Sequence, residues 1–558
     1  MQLRQDLIVI FLLILLSFPA LSPLSQKGMF YTHDGEIHTS RLAQFTLALS
    51  QGHFPVRWEA NKFFGLGYPA FNFIYVFPYY LGYAFRVIFQ LSFQDIFKIL
   101  LSLSFILSGI TSFIYFKQLF GKLSAFCASI IYLWTPYRFA NLYARGALGE
   151  ALIFVFIPLL FLGPHLLKKN KFWGFVLTSL TAFFFITSHL LILEIFLPLV
   201  LIYSLIILHK DWRSFFIFLF SIFYGFLLSS FYLLPAIFDK QYTLIDALYL
   251  NIWRGHFFPL ERLLRLPLPG VDTGTPFQIG VVSLIIISFF LYESFHKFIR
   301  HEKQPPLKLF FLIVGIFSLF FCTSYSFVFW EKITPLQYLV FPWRFLGVII
   351  FCVAFLVAYF LNRIKAFSLK ITFLVLVIFL SIFTTRHYLK TPTPEVINDS
   401  YYENFQDPLS SDNYFVPKGL RPDIQQITKP LVENFSGKGI VAISKRSATT
   451  LVLKTDNETE TQTKFSLLYF PGWTAKIDGK KAEINSQYQD KNFDFRGLIT
   501  LKIPSGQHEI FLNFGETPLR KLADFLSLIF FLGLLISLGV KLVHKNLNPE
   551  GLAEVINY

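Results

Sequence analysis

The stretch from Met29 to Asn72, MFYTHDGEIHTSRLAQFTLALSQGHFPVRWEANKFFGLGYPAFN, decides how the rest of this chain is read. It follows at once on an apolar run, LIVIFLLILLSFPAL, and it carries His33, Asp34, Glu36, His38, Arg41, Arg57, Trp58 and Glu59. Ionisable groups beside a membrane span are costly unless they face water or one another. The stretch therefore reads as an external loop that forms the floor of an active site, held in place by the other spans.

Outward from that loop the chain is apolar. Of 558 residues, 54% are hydrophobic and 15% are charged. A soluble domain carries about 25% charged residues. Mean hydropathy is +0.55. Runs of about 18 to 22 apolar residues recur, each long enough to cross a bilayer as a helix. The fold class is a polytopic α-helical membrane protein, and the 72 Phe residues suit lipid-facing helices. The net charge of +15 invites a nucleic-acid partner. That class is excluded, because the basic residues form short clusters between apolar runs, the positive-inside pattern of a membrane protein. Cys127, Cys322 and Cys352 all lie in apolar runs, so no disulfide framework supports the polar segment near the C-terminus. The N-terminal run lacks a small-x-small cleavage site, with Pro19 and Pro23 in the way, and reads as an uncleaved first span.

Parity sets the topology. Lys117/Lys122, Lys168/Lys169/Lys171, Lys210/Arg213, Lys297/Arg300/Lys303/Lys308 and Arg363/Lys365 occupy every second connection between apolar runs. If Tyr68–Gln90 spans, all of these fall outside. If it lies in the interface or re-enters, all fall in the cytoplasm, where they belong. Pro69, Pro78 and a belt of tyrosines suit an interfacial segment. The count is then about 12 transmembrane helices with both termini cytoplasmic. The chain divides into a transmembrane unit over 1–386 with its external first loop at 26–95, a polar extracytoplasmic domain over 387–520, and a final helix with a cytoplasmic tail over 521–558. The polar domain reads as a β-sandwich. Asp478-Gly479 between alternating runs is a hairpin signal, and Ile499, Leu501 and Ile503 alternate with polar residues. Trp473 reads as a core anchor of that domain, with a sugar-stacking platform as the alternative.

Several residues can carry chemistry. Asp34, just beyond the first span, is the candidate general base, with Glu36 beside it. His33 and His38 with these two carboxylates are candidate ligands for a divalent cation, although the spacing matches no standard zinc pattern. No metal site is assigned. Arg138 and Arg145 lie two helical turns apart in TPYRFANLYARGALGE and can share a face; their guanidinium forks match phosphate oxygens. Glu150 is a candidate second acid. The alternative for these arginines is an interfacial helix snorkelling to headgroups. His189, Arg57 and Arg344 are further candidate substrate contacts, as is Arg254, which shares its loop with Arg262, Arg265, Asp246, Glu261 and Asp272. Glu194 stands inside a span, where a carboxylate calls for a partner. There is no G-x-S-x-G elbow, no P-loop and no kinase motif set.

The segments HDGEIHTSRLAQFTLALSQGHFPVRWEANKFFGLGYPAFNFIYVFPYY, YARGALGEALIFVFIPL, TSHL and FPWRFLG resemble bacterial membrane proteins of the 6-pyruvoyl-tetrahydropterin-synthase-related family. The tail LLYFPGWTAKIDGKKAEI…TPLR resembles the ending of YfhO-like membrane proteins. Both groups belong to the GT-C superfamily of membrane glycosyltransferases. The resemblance implies a GT-C-like fold, an acidic residue in the first external loop, here Asp34, and a polyprenyl-phosphate-linked sugar donor. It also implies transfer at the extracytoplasmic face of the inner membrane to an envelope glycan or protein acceptor. Many relatives carry two adjacent acids, where this chain has Asp34-Gly35-Glu36. Pterin-synthase chemistry needs a soluble fold with a three-histidine zinc site, and no segment supplies one. Two rival functions stay open at the level of sequence: a transporter or flippase of a lipid-linked glycan, and a non-enzymatic scaffold for envelope assembly.

Overall fold

The computed structural model describes residues 2–266, 277–406, 415–421 and 423–547; Asp272 lies outside them. Side-chain oxygens cap several helices where the sequence leaves a polar residue before an apolar run. Ser92 accepts from Asp95 N, Asn170 from Trp173 N and Asp211 from Ser214 N.

Among the described residues, 8 helices are long and apolar enough to cross a membrane, or up to 10 if each of two bent pairs is one span. The sequence reading counted about 12, and two segments account for the difference. Lys171–Leu208 is continuous over 38 residues but non-helical at His189 (φ −168°, ψ 88°). A straight helix of that length would separate its ends by about 57 Å. Instead, Lys171 Nζ lies 3.5 Å from Asp211 Oδ2, just past the other end. The helix folds back at His189 into two antiparallel arms. The second segment is Lys122–Leu133, whose 12 residues span about 18 Å, short of a hydrocarbon core of about 30 Å. The expected span to residue 137 ends early because Trp134 leaves the helix, and the chain enters a buried π turn, Ala140–Arg145.

The basic connections gather at one end of the bundle. Lys117 and Lys122 reach Asp6 at 2.8 and 3.3 Å, and Lys169 donates to Gln118 at 3.0 Å. Arg363 and Lys297 share Glu293 at 2.8 and 2.9 Å. Phe120 packs on Phe355 and Tyr359, joining the two groups. At the opposite end Lys98 Nζ donates to Gln26 O at 2.8 Å. The chain thus enters and leaves its opening loop at one end. The 13-residue helix Phe77–Phe89 stays there.

Among the described residues eight strands form the C-terminal sandwich: β1 Val432–Ser436, β2 Gly439–Arg446, β3 Thr450–Asn457, β4 Thr461–Leu468, β5 Trp473–Ile477, β6 Lys480–Ala482, β7 Leu498–Ile503 and β8 Gly506–Phe514. One sheet runs β1-β4-β7 and the other β2-β3-β8-β5-β6, with antiparallel pairing throughout. Asp478 (φ 50°) and Gly479 (φ 79°) make the β5–β6 turn, the left-handed pair that a two-residue hairpin requires. Thr500, expected to face outward, is buried because its hydroxyl donates to Asn485 O at 2.7 Å.

The polar segment is not β from its start. Before Val432 it clasps the opening loop instead. Met29 and Glu395 exchange backbone hydrogen bonds at 2.8 and 2.9 Å, and Phe64 N donates to Gln406 O at 3.1 Å. The sandwich shares its core with that same loop. Trp58 is buried edge-on against Trp473 at 5.5 Å and packs on Phe514 at 4.8 Å. Trp473 is thus a core residue of a joint between the two.

Candidate active site

Backbone hydrogen bonds lock the opening loop to the Ala140–Arg145 turn. His33 N donates to Ala144 O at 3.0 Å and Asp34 N to Arg145 O at 2.8 Å. Gly146 permits this approach: its φ is +65°, and a Cβ there would sit 2.5 Å from Thr32 Oγ1. Asp34, half-buried, therefore stands beside Arg145 at the start of the helix Gly35–Ser50.

Arg145 Nη1 donates to Glu150 Oε2 at 2.7 Å and to Asn141 Oδ1 at 2.9 Å. Arg344 Nε lies 3.6 Å from the same Glu150 oxygen, and its Nη2 is 3.4 Å from His189 Nε2. Tyr137 donates a short hydrogen bond to Glu150 Oε1. Two guanidiniums thus share one buried carboxylate, and Asp34 stands beside the first of them. The fold-back at His189 brings that residue in, and Gly149 makes room for it. A Cβ on Gly149 would lie 2.5 Å from both Ser188 O and the Tyr75 ring. Tyr75 and Tyr79 hydroxyls flank His38 at 3.0 Å (Nε2) and 2.9 Å (Nδ1). Burial, then the charges of Arg41 and Arg145, hold His38 well below its usual range, so it is neutral. Burial pushes the Tyr75 hydroxyl up, and the field of Asp34 adds to it. Burial works against the charge of Arg145, yet Glu150 and Asp34 leave its pKa raised.

These groups enclose a cavity of about 370 Å³ lined by Asp34, His38, Arg145, Glu150, His189 and Arg344 among others. A second cavity of about 300 Å³ adjoins it, walled by Pro198, Ile313, Phe317, Leu336 and Phe345. Glu194 lines both.

Five of the side chains singled out in the sequence do not line the polar cavity. His33 is exposed on the loop surface, and Glu36 turns away to accept from the Tyr401 hydroxyl. Arg57 is occupied by Glu516 at 3.1 Å and Asp524 at 2.7 Å, tying the loop to the base of the last helix. Arg138 is buried between Phe105 and Phe154 and donates to Ser108 Oγ at 2.8 Å. Arg254 pairs with Glu331 at 3.5 Å on the surface and lies over Trp253. Glu150, offered as a second acid, is committed to its two arginines. The cavity also takes in Arg41, Tyr75, Lys240, Tyr338 and Phe415. Lys240 Nζ lies 3.1 Å from Asp246 and 2.9 Å from the Tyr338 hydroxyl. Leu244 N donates to Val416 O at 3.0 Å, which brings Phe415 to the rim. The tyrosine belt around residue 75 was a visible signal; the Lys240 and Phe415 contacts join distant loops and left none. Among the described residues no three His, Cys, Asp or Glu side chains converge as a metal site would require.

The profile of a family described as "6-pyruvoyl-tetrahydropterin synthase related domain; membrane protein" matches residues 71–392. The chain belongs to this family. No curated protein sequence matches it. Among solved structures, the Archaeoglobus fulgidus oligosaccharyltransferase, crystallised with a tethered acceptor peptide containing the NVT sequon, aligns with 73% of this chain and 56% of its own at 13% identity, TM-score 0.37. The arabinofuranosyltransferase AftD from Mycobacteria aligns with 69% of this chain and 27% of its own at 12% identity, TM-score 0.42. The chain spans about half the length of the first and about a quarter of the second. At these scores the likeness carries no argument about the reaction.

In this 6-pyruvoyl-tetrahydropterin-synthase-related membrane protein the matched segment includes Arg145, Glu150, His189 and Arg344, while Asp34 precedes it. Together they make a carboxylate facing a cationic wall. The carboxylate can accept a proton from a hydroxyl, and the wall can hold an anion. The adjoining cavity is walled mainly by apolar side chains.

Proposed function

We propose that this protein transfers a sugar from a polyprenyl-phosphate-linked donor to a hydroxyl of an envelope glycan or protein acceptor at the extracytoplasmic face of the inner membrane. The observation that carries this reading is the join of the two cavities: Asp34, Arg145 and Arg344 line the polar one, and it meets the apolar one at Glu194. Such a site fits an amphiphile with an anionic head. In the proposed reaction the acceptor oxygen bonds to the anomeric carbon. The bond from that carbon to the phosphate oxygen breaks, and its electron pair leaves with the polyprenyl phosphate. The acceptor's proton passes to Asp34. General-base help of this kind is worth about 10²–10⁴-fold. Arg145 and Arg344, held apart by Glu150, stabilise the charge that develops on the phosphate. Neutral His38, between its two tyrosines, supports the wall beside Asp34.

The orientation proposed with it puts the basic end of the bundle and both termini in the cytoplasm and the cavity and sandwich outside. With the His189 fold counted as two crossings and Lys122–Leu133 with its following turn as one, the crossings come to about 12. Cysteines placed at Asn170 and Gly479 should label from opposite sides; labelling from one side refutes this topology. The function is tested by mass spectrometry of lipid-linked sugars and envelope glycans with and without the gene. Loss of one sugar from the envelope with build-up of its lipid-linked form is expected; unchanged profiles of both would overturn the reading.

A further inference from the structure

Resting on the donor proposed above, we infer that Glu194 distinguishes the loaded lipid from the spent one. Glu194 lies on the second arm of the folded helix, soon after the turn at His189. Among the described residues it is the one residue that lines both cavities. On its polar side stand Arg344, His189 and Lys240; beyond it the wall is Ile195, Pro198, Leu199, Ile313, Val314 and Phe317. Among the described residues no side chain forms a hydrogen bond or ion pair with it, and Arg344 and Lys240 act on it only through space. A carboxylate within a membrane span that serves structure alone is paired. This one is left facing the place where an amphiphile's head gives way to its chain.

The head changes charge in the proposed reaction. The donor is a phosphodiester with a single negative charge. The product is a phosphomonoester that approaches two, since its second pKa is about 6. A carboxylate at the neck therefore disfavours the product more than the donor. One extra charge within about 10 Å at an effective dielectric of about 20 changes binding by about tenfold. Glu194 thus acts as a specificity residue that keeps spent lipid from occupying the site.

The test measures binding of two probes to the purified full chain at pH 8 and low salt: farnesyl phosphate, a monoester, and farnesyl methyl phosphate, a diester of the same chain. In Glu194→Gln the diester, with one charge, should bind about tenfold tighter and the monoester, with nearly two, about a hundredfold tighter, so that their ratio shifts about tenfold. Diester binding shows that the variant is folded. Glu194→Ser should repeat the shift, and Glu194→Asp, which keeps the charge, should keep the wild-type ratio. If both probes shift alike in the Gln and Ser variants, or neither shifts, Glu194 is not the discriminator. The donor reading has its own control, Arg145→Ala, which should weaken both probes together. If the wild-type chain binds neither probe, that reading fails and this inference fails with it.

Discussion

Replacing Glu150 by glutamine keeps the size of the side chain and its neighbours Tyr137 and Asn141, and removes one charge. Glu150 Oε2 lies 2.7 Å from Arg145 Nη1 and 3.6 Å from Arg344 Nε, with side-chain exposures of 2%, 8% and 8%. At that burial solvent screens little. The cost is therefore that of an uncompensated buried charge, about 3–5 kcal/mol, rather than that of a surface ion pair. It falls on two guanidiniums at once. At about 2 °C per kcal/mol for a large domain, the melting temperature in detergent should drop by about 6–10 °C. Tryptophan fluorescence reads the transition, with Trp343 next to Arg344 as a local reporter. The double variant Glu150→Gln/Arg145→Gln should lose less than the sum of its singles, with a coupling of about 1–3 kcal/mol. If Glu150→Gln melts within about 1 °C of wild type and the two changes simply add, the charge balance does not hold this wall. The proposed phosphate site would then have no foundation.

Three other perturbations probe neighbouring parts. Gly146→Ala forces a Cβ toward Thr32 Oγ1 at a φ of +65°, so it should abolish transfer by parting Asp34 from Arg145 while costing about 1–3 kcal/mol in a thermal melt; full activity would show that the lock is dispensable. Trp58→Ala empties the joint between loop and sandwich and should destabilise by about 3–5 kcal/mol, seen as faster proteolysis near the sandwich; an unchanged digest would contradict the shared core. Because His38 is held below 6.5 in the folded chain, the unfolded chain takes its proton first as pH falls. Its contribution is complete above about pH 6.5 and is lost below it at up to about 1.4 kcal/mol per pH unit, so wild type should lose more stability than His38→Gln between pH 7.5 and 5.5; parallel melting curves would refute this.

What the sequence made legible follows from contrast. Ionisable residues in an apolar chain stand out, so Asp34, Arg145, Glu150, His189 and Arg344 could be picked without any partner in view. The fold-back showed as the short polar break Ser188-His189. The turn Asp478-Gly479 needed only local chemistry. The arginines that lie away from the cavity share a different feature. Whether an arginine is free for a ligand depends on what it meets in the fold, and the carboxylates that occupy Arg57 are Glu516 and Asp524, near the other end of the chain. Arg138 likewise sits among phenylalanines that only packing brings together. Hydropathy counts apolar residues but does not see a helix stop, which is why Lys122–Leu133 was read too long. The strands β1, short and largely polar, and β2, which opens on the unbroken apolar run 440–443, carried no alternation to find, and the clasp of Met29 by Glu395 is a pairing that no local pattern encodes.

The central claim, that Asp34 takes the acceptor's proton in transfer from a lipid-linked sugar, is tested most directly by one comparison. Wild type and Asp34→Asn, purified at equal yield and melting temperature, are incubated with the polyprenyl-phosphate-linked sugar that accumulates without the gene, together with envelope acceptor. Product is followed by mass spectrometry. The account predicts transfer by wild type and a loss of at least about 10²-fold in Asp34→Asn, with the same affinity for the donor. Transfer at the wild-type rate by Asp34→Asn would contradict it.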